Sequence, residues 1–453
     1  MANFLQIIKK LLPMGSNPAL AKLRECVSPS ENPKSPTDVE HVIAAIRART
    51  PVILVHGRAG TGKTTLIREV TKQGNFKHVV VAPTGIAALN AHGQTIHSFF
   101  AIPPYIVDLK DIKATRRIRE IVGSLELLVI DEISMVRADV LDVMNKTLQV
   151  NRGNRLPFGG VSTLMVGDFL QLPPVVTEED REILMKKGYE VHYAFGAHCL
   201  RNISPLIIEL STVHRQTEAN FIELLGKVRT AEDVEAVVET LNTYCHGGHK
   251  TVNTPVILCA TNASADGYNR EGMSRLTGVS SVFHGTVEGD FRADRYPAPK
   301  ELEIKLDARV MLVKNDSGKR WVNGTLGTIT RIAEGAVWIC IDGSSSEYQV
   351  DRCTWESINY EWSASESRLK QKVVGRYSQY PLKLAWALTI HKSQGLTLKD
   401  VRIDMGAGAF THGQTYVALS RTTSLKGLSF ASPLLIGDVK ADQDVVSGIK
   451  RFG

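Results

Sequence analysis

None of the six cysteines, at 26, 199, 245, 259, 340 and 353, stands in a C-x-x-C pair, so neither a disulfide framework nor a zinc ribbon is indicated. Unpaired thiols fit a reducing compartment. The run Cys245-His246-Gly247-Gly248-His249 has metal-ligating side chains but no second cysteine at ligand spacing. No apolar run approaches the roughly 18 residues of a membrane span. Residues 4–12, FLQIIKKLL, read as a short amphipathic helix, and no small-residue cleavage site follows to make a signal peptide. What is present is ordinary globular material, 43% apolar and 22% charged over 453 residues, room for about two to four domains. The 54 basic residues exceed the 47 acidic ones by 7, which is compatible with a polyanionic partner without requiring one.

The stretch whose chemistry is complete in itself is Pro51 to Leu66, PVILVHGRAGTGKTTL. A buried strand, Val52 to Val55, breaks into a glycine-rich turn and resumes as a helix, which is the P-loop arrangement. Backbone amides over Gly57, Ala59, Gly60, Thr61, Gly62, Lys63, Thr64 and Thr65 can wrap the phosphates of ATP, and the helix adds the positive end of its dipole. Lys63 reaches the β and γ phosphates, and Thr64 holds Mg²⁺.

Carboxylates and cations follow at the ends of later strands. Leu125 to Glu132, LELLVIDE, reads as a buried strand ending in two acids. Beside a P-loop, Asp131 can hold Mg²⁺ through water and Glu132 can polarise the attacking water. The strand Thr163 to Val166 leads to Asp168, placed to support the metal shell, and to Gln171, placed to sense the γ-phosphate. Arg215 follows another strand and can reach a transferring phosphoryl group as an arginine finger.

A second set of residues suits a nucleic-acid backbone. Val79 to Ala82 is a strand ending in Pro83-Thr84-Gly85, and Thr95 to Phe100 brings His97, Ser98 and Phe99. These offer hydrogen bonds and a stacking face, or are a turn and a core aromatic pair. Lys110, Lys113, Arg116, Arg117 and Arg119 crowd an insertion that is either a solvated face or a contact. A strand at Leu382 to Ile390 precedes His391-Lys392-Ser393-Gln394-Gly395, whose Ser-Gln-Gly turn and lysine charge suit a phosphodiester.

In this order the P-loop, APTGIAALNAHGQTIHSFF, LLVIDEISMV, PFGGVSTLMVGDFLQLPPV and LSTVHRQ resemble the petite-integration-frequency helicases, in the RecD-like branch of helicase superfamily one. The resemblance runs from about residue 38 to about residue 430. It implies an α/β fold of two RecA-like P-loop domains in tandem, after an N-terminal helix and linker over 1–37. The first domain would cover 38–210 with a small wedge insertion near 101–120. The second would cover 211–320 and 381–453, interrupted at 321–380 by an SH3-like β-barrel, for which short strands with glycine turns also argue.

The resemblance further implies that Thr261 and Asn262 touch the single strand. It makes Arg421, in Tyr416 to Arg421, the second arginine at the γ-phosphate, where the residues alone leave it equally an ordinary surface arginine. The implied activity is 5′-to-3′ translocation on single-stranded DNA, opening duplexes, forks, RNA–DNA hybrids and G-quadruplexes at a junction. One chain suffices as a monomeric motor, with no membrane partner. Its place would be the bacterial or phage cytoplasm at the nucleoid, or the nucleus or mitochondria of a eukaryote. Residues 38–49 lack the glutamine with which helicases read adenine, so base selectivity stays open. The alternative is a DNA-stimulated ATPase or translocase subunit of a recombination or repair complex. Against it stands the lack of a nuclease carboxylate cluster and of a long partner-binding extension. A small-molecule kinase would leave Arg215, His391 to Gly395 and Arg421 without a role.

Overall fold

Five short, mainly apolar segments and one polar pair form a parallel sheet: β1 (Val52–Gly57), β2 (His78–Ala82), β3 (Gln94–Thr95), β4 (Leu127–Ile130), β5 (Ser162–Gly167) and β6 (Leu206–Leu210). Their order is β3-β2-β4-β5-β1-β6. Parallel strands covered on both faces must be apolar on both. Accordingly Val79, Val81, Leu128 and Ile130 enter one core, and Val80, Leu127 and Val129 the other. Helices α1 (Asp38–Arg47), α2 (Lys63–Gly74), α3 (Gly85–Asn90), α4 (Arg116–Val122) and α5 (Ala138–Arg152) follow in chain order. α1 opens with a capping box between Thr37 and Glu40 and buries Val42, Ile43 and Ile46. Because β4, β5 and β1 are neighbours, the segments leaving their C-terminal ends converge.

This computed structural model describes residues 37–103, 105–246, 255–333, 335–363 and 368–449. The N-terminal helix and linker expected from the sequence, and His249 with most of its Cys-His run, lie outside the described residues.

After α6 (Ala219–Thr230), the chain enters a second parallel sheet at β7 (Val256–Cys259) and continues into α7 (Asn262–Arg275). It then leaves through β8 (Ser281–His284), β9 (Thr286–Gly289), β10 (Glu301–Ile304), β11 (Arg309–Leu312), β12 (Leu326–Ala333), β13 (Ala336–Ile341), β14 (Glu347–Val350), β15 (Cys353–Ser363), β16 (Arg368–Gln379) and β17 (Leu382–Leu384). It returns with β18 (Ala387–Thr389), β19 (Val401–Asp404), α8 (Gln414–Leu419) and β20 (Leu428–Phe430), in sheet order β18-β7-β19-β20. Within the excursion, five antiparallel strands pair as β14-β13-β12-β11-β17, and β15 and β16 form a long hairpin beside β9.

Two expectations change here. Residues 382–390 are not one strand: β17 pairs with β11 of the small sheet, whereas β18 pairs with β7. The small sheet therefore extends beyond 321–380 at both ends. Its entering and leaving strands are each other's partners, so the sheet is completed only by residues flanking the expected insertion.

Candidate nucleotide cleft and nucleic-acid interface

The P-loop turns through Gly60 and Gly62 at φ of +81° and +85°, left-handed values that favour glycine. Gly60 also lacks room, because a Cβ there would stand 2.6 Å from Cβ of Arg215. Gly62 precedes α2 without any side-chain cap, so the first-turn amides remain for an anion. Lys63 Nζ donates to the Gly57 and Arg58 carbonyls at 2.7 and 2.9 Å. Burial pushes its pKa down, against the opposing pull of Asp168 and Glu132. A phosphate would restore what burial removes.

Asp131 and Glu132 lie immediately beyond β4, where Glu132 adopts a left-handed backbone at φ 50° and donates its N–H to Asp131 Oδ1 at 2.9 Å. Burial, reinforced by the Glu132 carboxylate, pushes Asp131 up to about 7. Burial also raises Glu132, while Lys63, Arg421 and Arg215 pull it back. Among the described residues no three His, Cys, Asp or Glu side chains assemble a metal site. Thr64 and Asp131 fit instead a hard cation that takes further ligands from phosphate and water.

Asp168, expected to support a metal shell, is paired with a cation of the protein itself. Its buried carboxylate is held by Arg229 of α6, from Nη2 at 2.8 Å and from Nε at 3.2 and 3.3 Å. Gln171 donates to the same carboxylate at 3.4 Å.

Residues of the second sheet's domain close the cleft. Tyr416 Oη accepts from the P-loop amide of Ala59 at 2.9 Å. Gly413 packs so tightly that a Cβ would meet the Gln171 carbonyl at 2.4 Å. Arg215 Nη1 donates to Ser420 O at 3.0 Å, and Gln216 Nε2 donates to Ser420 O and Thr422 O at 3.2 and 2.7 Å. Arg421 is buried, not a surface arginine. Tyr416, Gln216 and Arg229 escaped the sequence reading. Tyr416 and Gln216 adjoin motif arginines that drew the attention, and Arg229 sits in an ordinary amphipathic helix that carries no signal.

The strand-binding candidates divide by accessibility. Thr84 caps α3 by accepting from Ala87 N at 3.2 Å. With Pro83 and His97 it lines a cavity of about 310 Å³ that Arg137, just ahead of α5, and Val140 and Val143 of α5 also wall. Burial, then the Arg137 charge, holds the His97 pKa below its ordinary value, favouring the neutral ring. Gly85 and Thr95 are overlain by Arg295, whose Nη2 donates to Thr95 Oγ1 at 3.1 Å. Ser98 is half-buried, its N–H donating to Thr95 Oγ1 at 3.4 Å. Thr261 and Asn262 are exposed at the start of α7. His391 stacks on exposed Phe410 with centroids 6.0 Å apart. Lys392 is exposed, and Gln394 Nε2 is buried without a partner.

Two candidates are corrected. Phe99, 3% exposed and packed edge-on against Phe100 with centroids 4.8 Å apart, belongs to the core and presents no stacking face. Ser393 is fully buried, its Oγ and its N–H both spent on the Ile390 carbonyl at 2.8 and 3.2 Å, so its side chain is closed to a ligand. Phe99→Ala is accordingly expected to cost about 3–5 kcal/mol in urea unfolding. His97→Ala should leave the unfolding midpoint near wild type and weaken oligonucleotide binding by about 1 kcal/mol or more. The opposite pattern would restore Phe99 to the interface and remove His97 from it.

The family profile described as PIF1-like helicase matches residues 36–237. ATP-dependent DNA helicase Pif1 of Bdellovibrio bacteriovorus is 31% identical over 390 residues, covering 83% of either chain. ATP-dependent DNA helicase PIF1 of mouse is 32% identical over 421 residues, covering 88% of this chain. The chain spans only 60% of the mouse relative's length. Pif1 from Bacteroides sp, solved in complex with ADP-AlF4, superposes with a TM-score of 0.84 at 31% identity, covering 92% of this chain and 96% of that one. The same Bacteroides protein bound to ssDNA gives a TM-score of 0.66.

Proposed function

The chain belongs to the PIF1-like helicase family, and from that premise we propose that it is an ATP-dependent DNA helicase. The observation that carries the proposal is the approach of Arg215 to the P-loop at Gly60, together with its bond to Ser420, the residue before the buried Arg421. In this reading Lys63 and the P-loop amides bind the β and γ phosphates, and Glu132 accepts the proton of the attacking water. Arg215 and Arg421 balance charge developing on the γ-phosphate, with Gln171 beside them. Mg²⁺, held by Thr64 and Asp131, supplies charge neutralisation to the phosphates when bound. The contact of Tyr416 with Ala59 ties the P-loop to the second sheet's domain, and Arg215 and Gln216 are held beside it by Ser420. Exchanging them for contacts to phosphate gives the cleft a nucleotide-dependent closure.

The single strand is read as crossing both domains, along Pro83, Thr84, Gly85, His97 and Ser98, then Thr261, Asn262, His391, Lys392 and Gln394, with the buried Ser393 shaping the turn that presents its neighbours. Support comes from the Bacteroides relative, which binds ssDNA. Movement is proposed as 5′ to 3′, by a single chain, on junctions that include RNA–DNA hybrids and G-quadruplexes. The five-stranded sheet is read as an SH3-like insertion and the 101–120 segment as a wedge. No described helix is long and apolar enough to cross a membrane. A nucleoid, nuclear or mitochondrial setting fits a DNA substrate.

The test is ATP hydrolysis with and without DNA, alongside opening of partial duplexes carrying a 5′ or a 3′ tail. DNA-stimulated hydrolysis, opening of the 5′-tailed duplex alone, and loss of both in Lys63→Ala are expected. Stimulation without opening of either duplex would make the chain a translocase subunit. Hydrolysis indifferent to DNA would end the motor reading.

A further inference from the structure

Two cavities meet behind the small sheet. One, of about 650 Å³, lies against α7 and is lined by Asn269, Arg270 and Thr389. The other, of about 710 Å³, runs from Thr64 and Arg68 of α2 past Asn90 to Trp355. Lys383 and Lys392 are the only residues that line both.

Lys383 reaches this position by strand alternation. It is the middle residue of β17, opposite Met311 of β11, and its neighbours Leu382 and Leu384 join the core of the small sheet. The period of two turns Lys383 to the other face. Among the described residues its ammonium has no hydrogen-bond or ion-pair partner. The cations nearby are occupied elsewhere: Lys305 donates to the Met273 and Leu276 carbonyls at 3.3 and 3.2 Å, and Lys314 to Thr354 O at 2.6 Å. On β15, Glu356 is paired with Arg376 at 3.2 Å. The remaining titratable groups around the two cavities are Asp266 and Arg270 on α7, Glu303 on β10, Arg68 on α2 and His92 after α3. The charge that bears on Lys383 is that of Lys392, and it repels.

We propose that Lys383 is a phosphate-binding residue for the single strand: where the cavities meet, one phosphodiester lies between the Lys383 and Lys392 ammoniums. The proposal rests on the DNA-binding reading above and adds to it a contact outside every motif that carried the family resemblance. Two ammoniums with no intervening carboxylate need an anion between them, and a phosphodiester that passes from one cavity to the other supplies it.

A consequence distinguishes this lysine from a surface one. Without ligand, burial and then Lys392 push Lys383 down to about 8, so it is largely neutral at pH 9. A phosphodiester favours the charged form, so binding takes up a proton at alkaline pH and affinity falls as pH rises. With the bound form charged throughout, the loss between pH 7 and pH 9 is about tenfold.

The experiment is an anisotropy titration of a labelled oligo(dA), whose bases do not titrate in this range, at pH 7, 8 and 9 and constant ionic strength. The proteins are the wild type, Lys383→Arg and Lys383→Met, each checked for its thermal midpoint. The wild type should weaken about tenfold across the range. Lys383→Arg should match it at pH 7 and stay within about twofold at pH 9, since a guanidinium does not titrate there. Lys383→Met should bind more weakly at pH 7, be insensitive to pH, and lose about 0.7 from its log–log salt slope. A pH-independent wild type, or an unchanged pH dependence in Lys383→Arg, would overturn the inference while leaving the helicase reading intact. A wild type that binds no oligo(dA) at pH 7 would overturn that reading and this one with it.

Discussion

Arg421→Ala is expected to lower DNA-stimulated ATP hydrolysis by about 10³-fold or more, with a much smaller change in nucleotide affinity. Arg421 is 2% exposed and stands between the two functions of the chain. Its Nε donates to Val417 O at 2.9 Å and its Nη2 to Ser420 Oγ at 2.7 Å. Its Nη1 reaches the Ser393 and Leu396 carbonyls at 3.4 and 3.5 Å, within the segment proposed to hold the strand. Burial, with Arg215 repelling, pushes its pKa down to about 9, while Glu132 opposes the fall. It therefore stays charged at neutral pH.

Alanine removes that charge and also strands buried carbonyls, at about 1–3 kcal/mol for each unsatisfied group. Arg421→Lys separates the two effects, because it keeps a charge but lacks the planar fork. The lysine variant should recover part of the thermal midpoint and little of the hydrolysis. Single-turnover hydrolysis with saturating ATP and DNA is the measurement. A rate within tenfold of wild type in Arg421→Ala would remove Arg421 from the γ-phosphate.

An effect on stability as large as that of Phe99→Ala should come from Asp168→Ala, which is expected to destabilise the protein by about 3–5 kcal/mol. Asp168 and Arg229 are 0% and 6% exposed in their side chains and 2.8 Å apart at closest approach. Removing the acid leaves a buried guanidinium without its counter-ion, and the same pair joins the end of β5 to α6, across the two cores. Replacing both partners, as Asp168→Leu with Arg229→Met, should cost less than the single change, since no charge is then left alone.

Burial alone would raise the Asp168 pKa, but the charge and hydrogen bonds of Arg229 outweigh it and hold the group below the ordinary carboxylate range. A depressed folded value means its stabilisation is complete above the unfolded pKa and is lost as pH falls through the folded one. The gap between wild type and Asp168→Ala in urea unfolding should thus be full at pH 7 and shrink in acid. A single mutant within about 1 kcal/mol of wild type, against the 3–5 expected for a broken buried pair, would show that the pair contributes little.

Much of the nucleotide half of the site was legible because it is local. The P-loop needs consecutive residues in defined backbone conformations, so Gly60, Gly62 and Lys63 announce it without knowledge of the rest of the chain. Asp131 and Glu132 were legible for a related reason: a buried apolar run ending in acids delivers them to a strand end. The strand-binding half was harder to read. His97 and Phe99 are two residues apart in one short motif, yet one lines a cavity and the other is core, because a single helical turn from Ile96 to Phe99 points them differently. Ser393 and Lys392 are adjacent and diverge in the same way.

The amino-acid order by itself determined the phosphate cradle, the acidic pair, the alternation of strands and helices, and the family. Each depends on neighbours along the chain, whose backbone geometry and burial period are set locally. Only the tertiary structure decided that Asp168 answers Arg229, that Tyr416 meets the P-loop amide, that β17 completes the small sheet, and that Lys383 stands beside Lys392 between two cavities. Those outcomes need groups far apart in sequence to meet, and the closing of sheets and cores, not any local preference, selects which ones do.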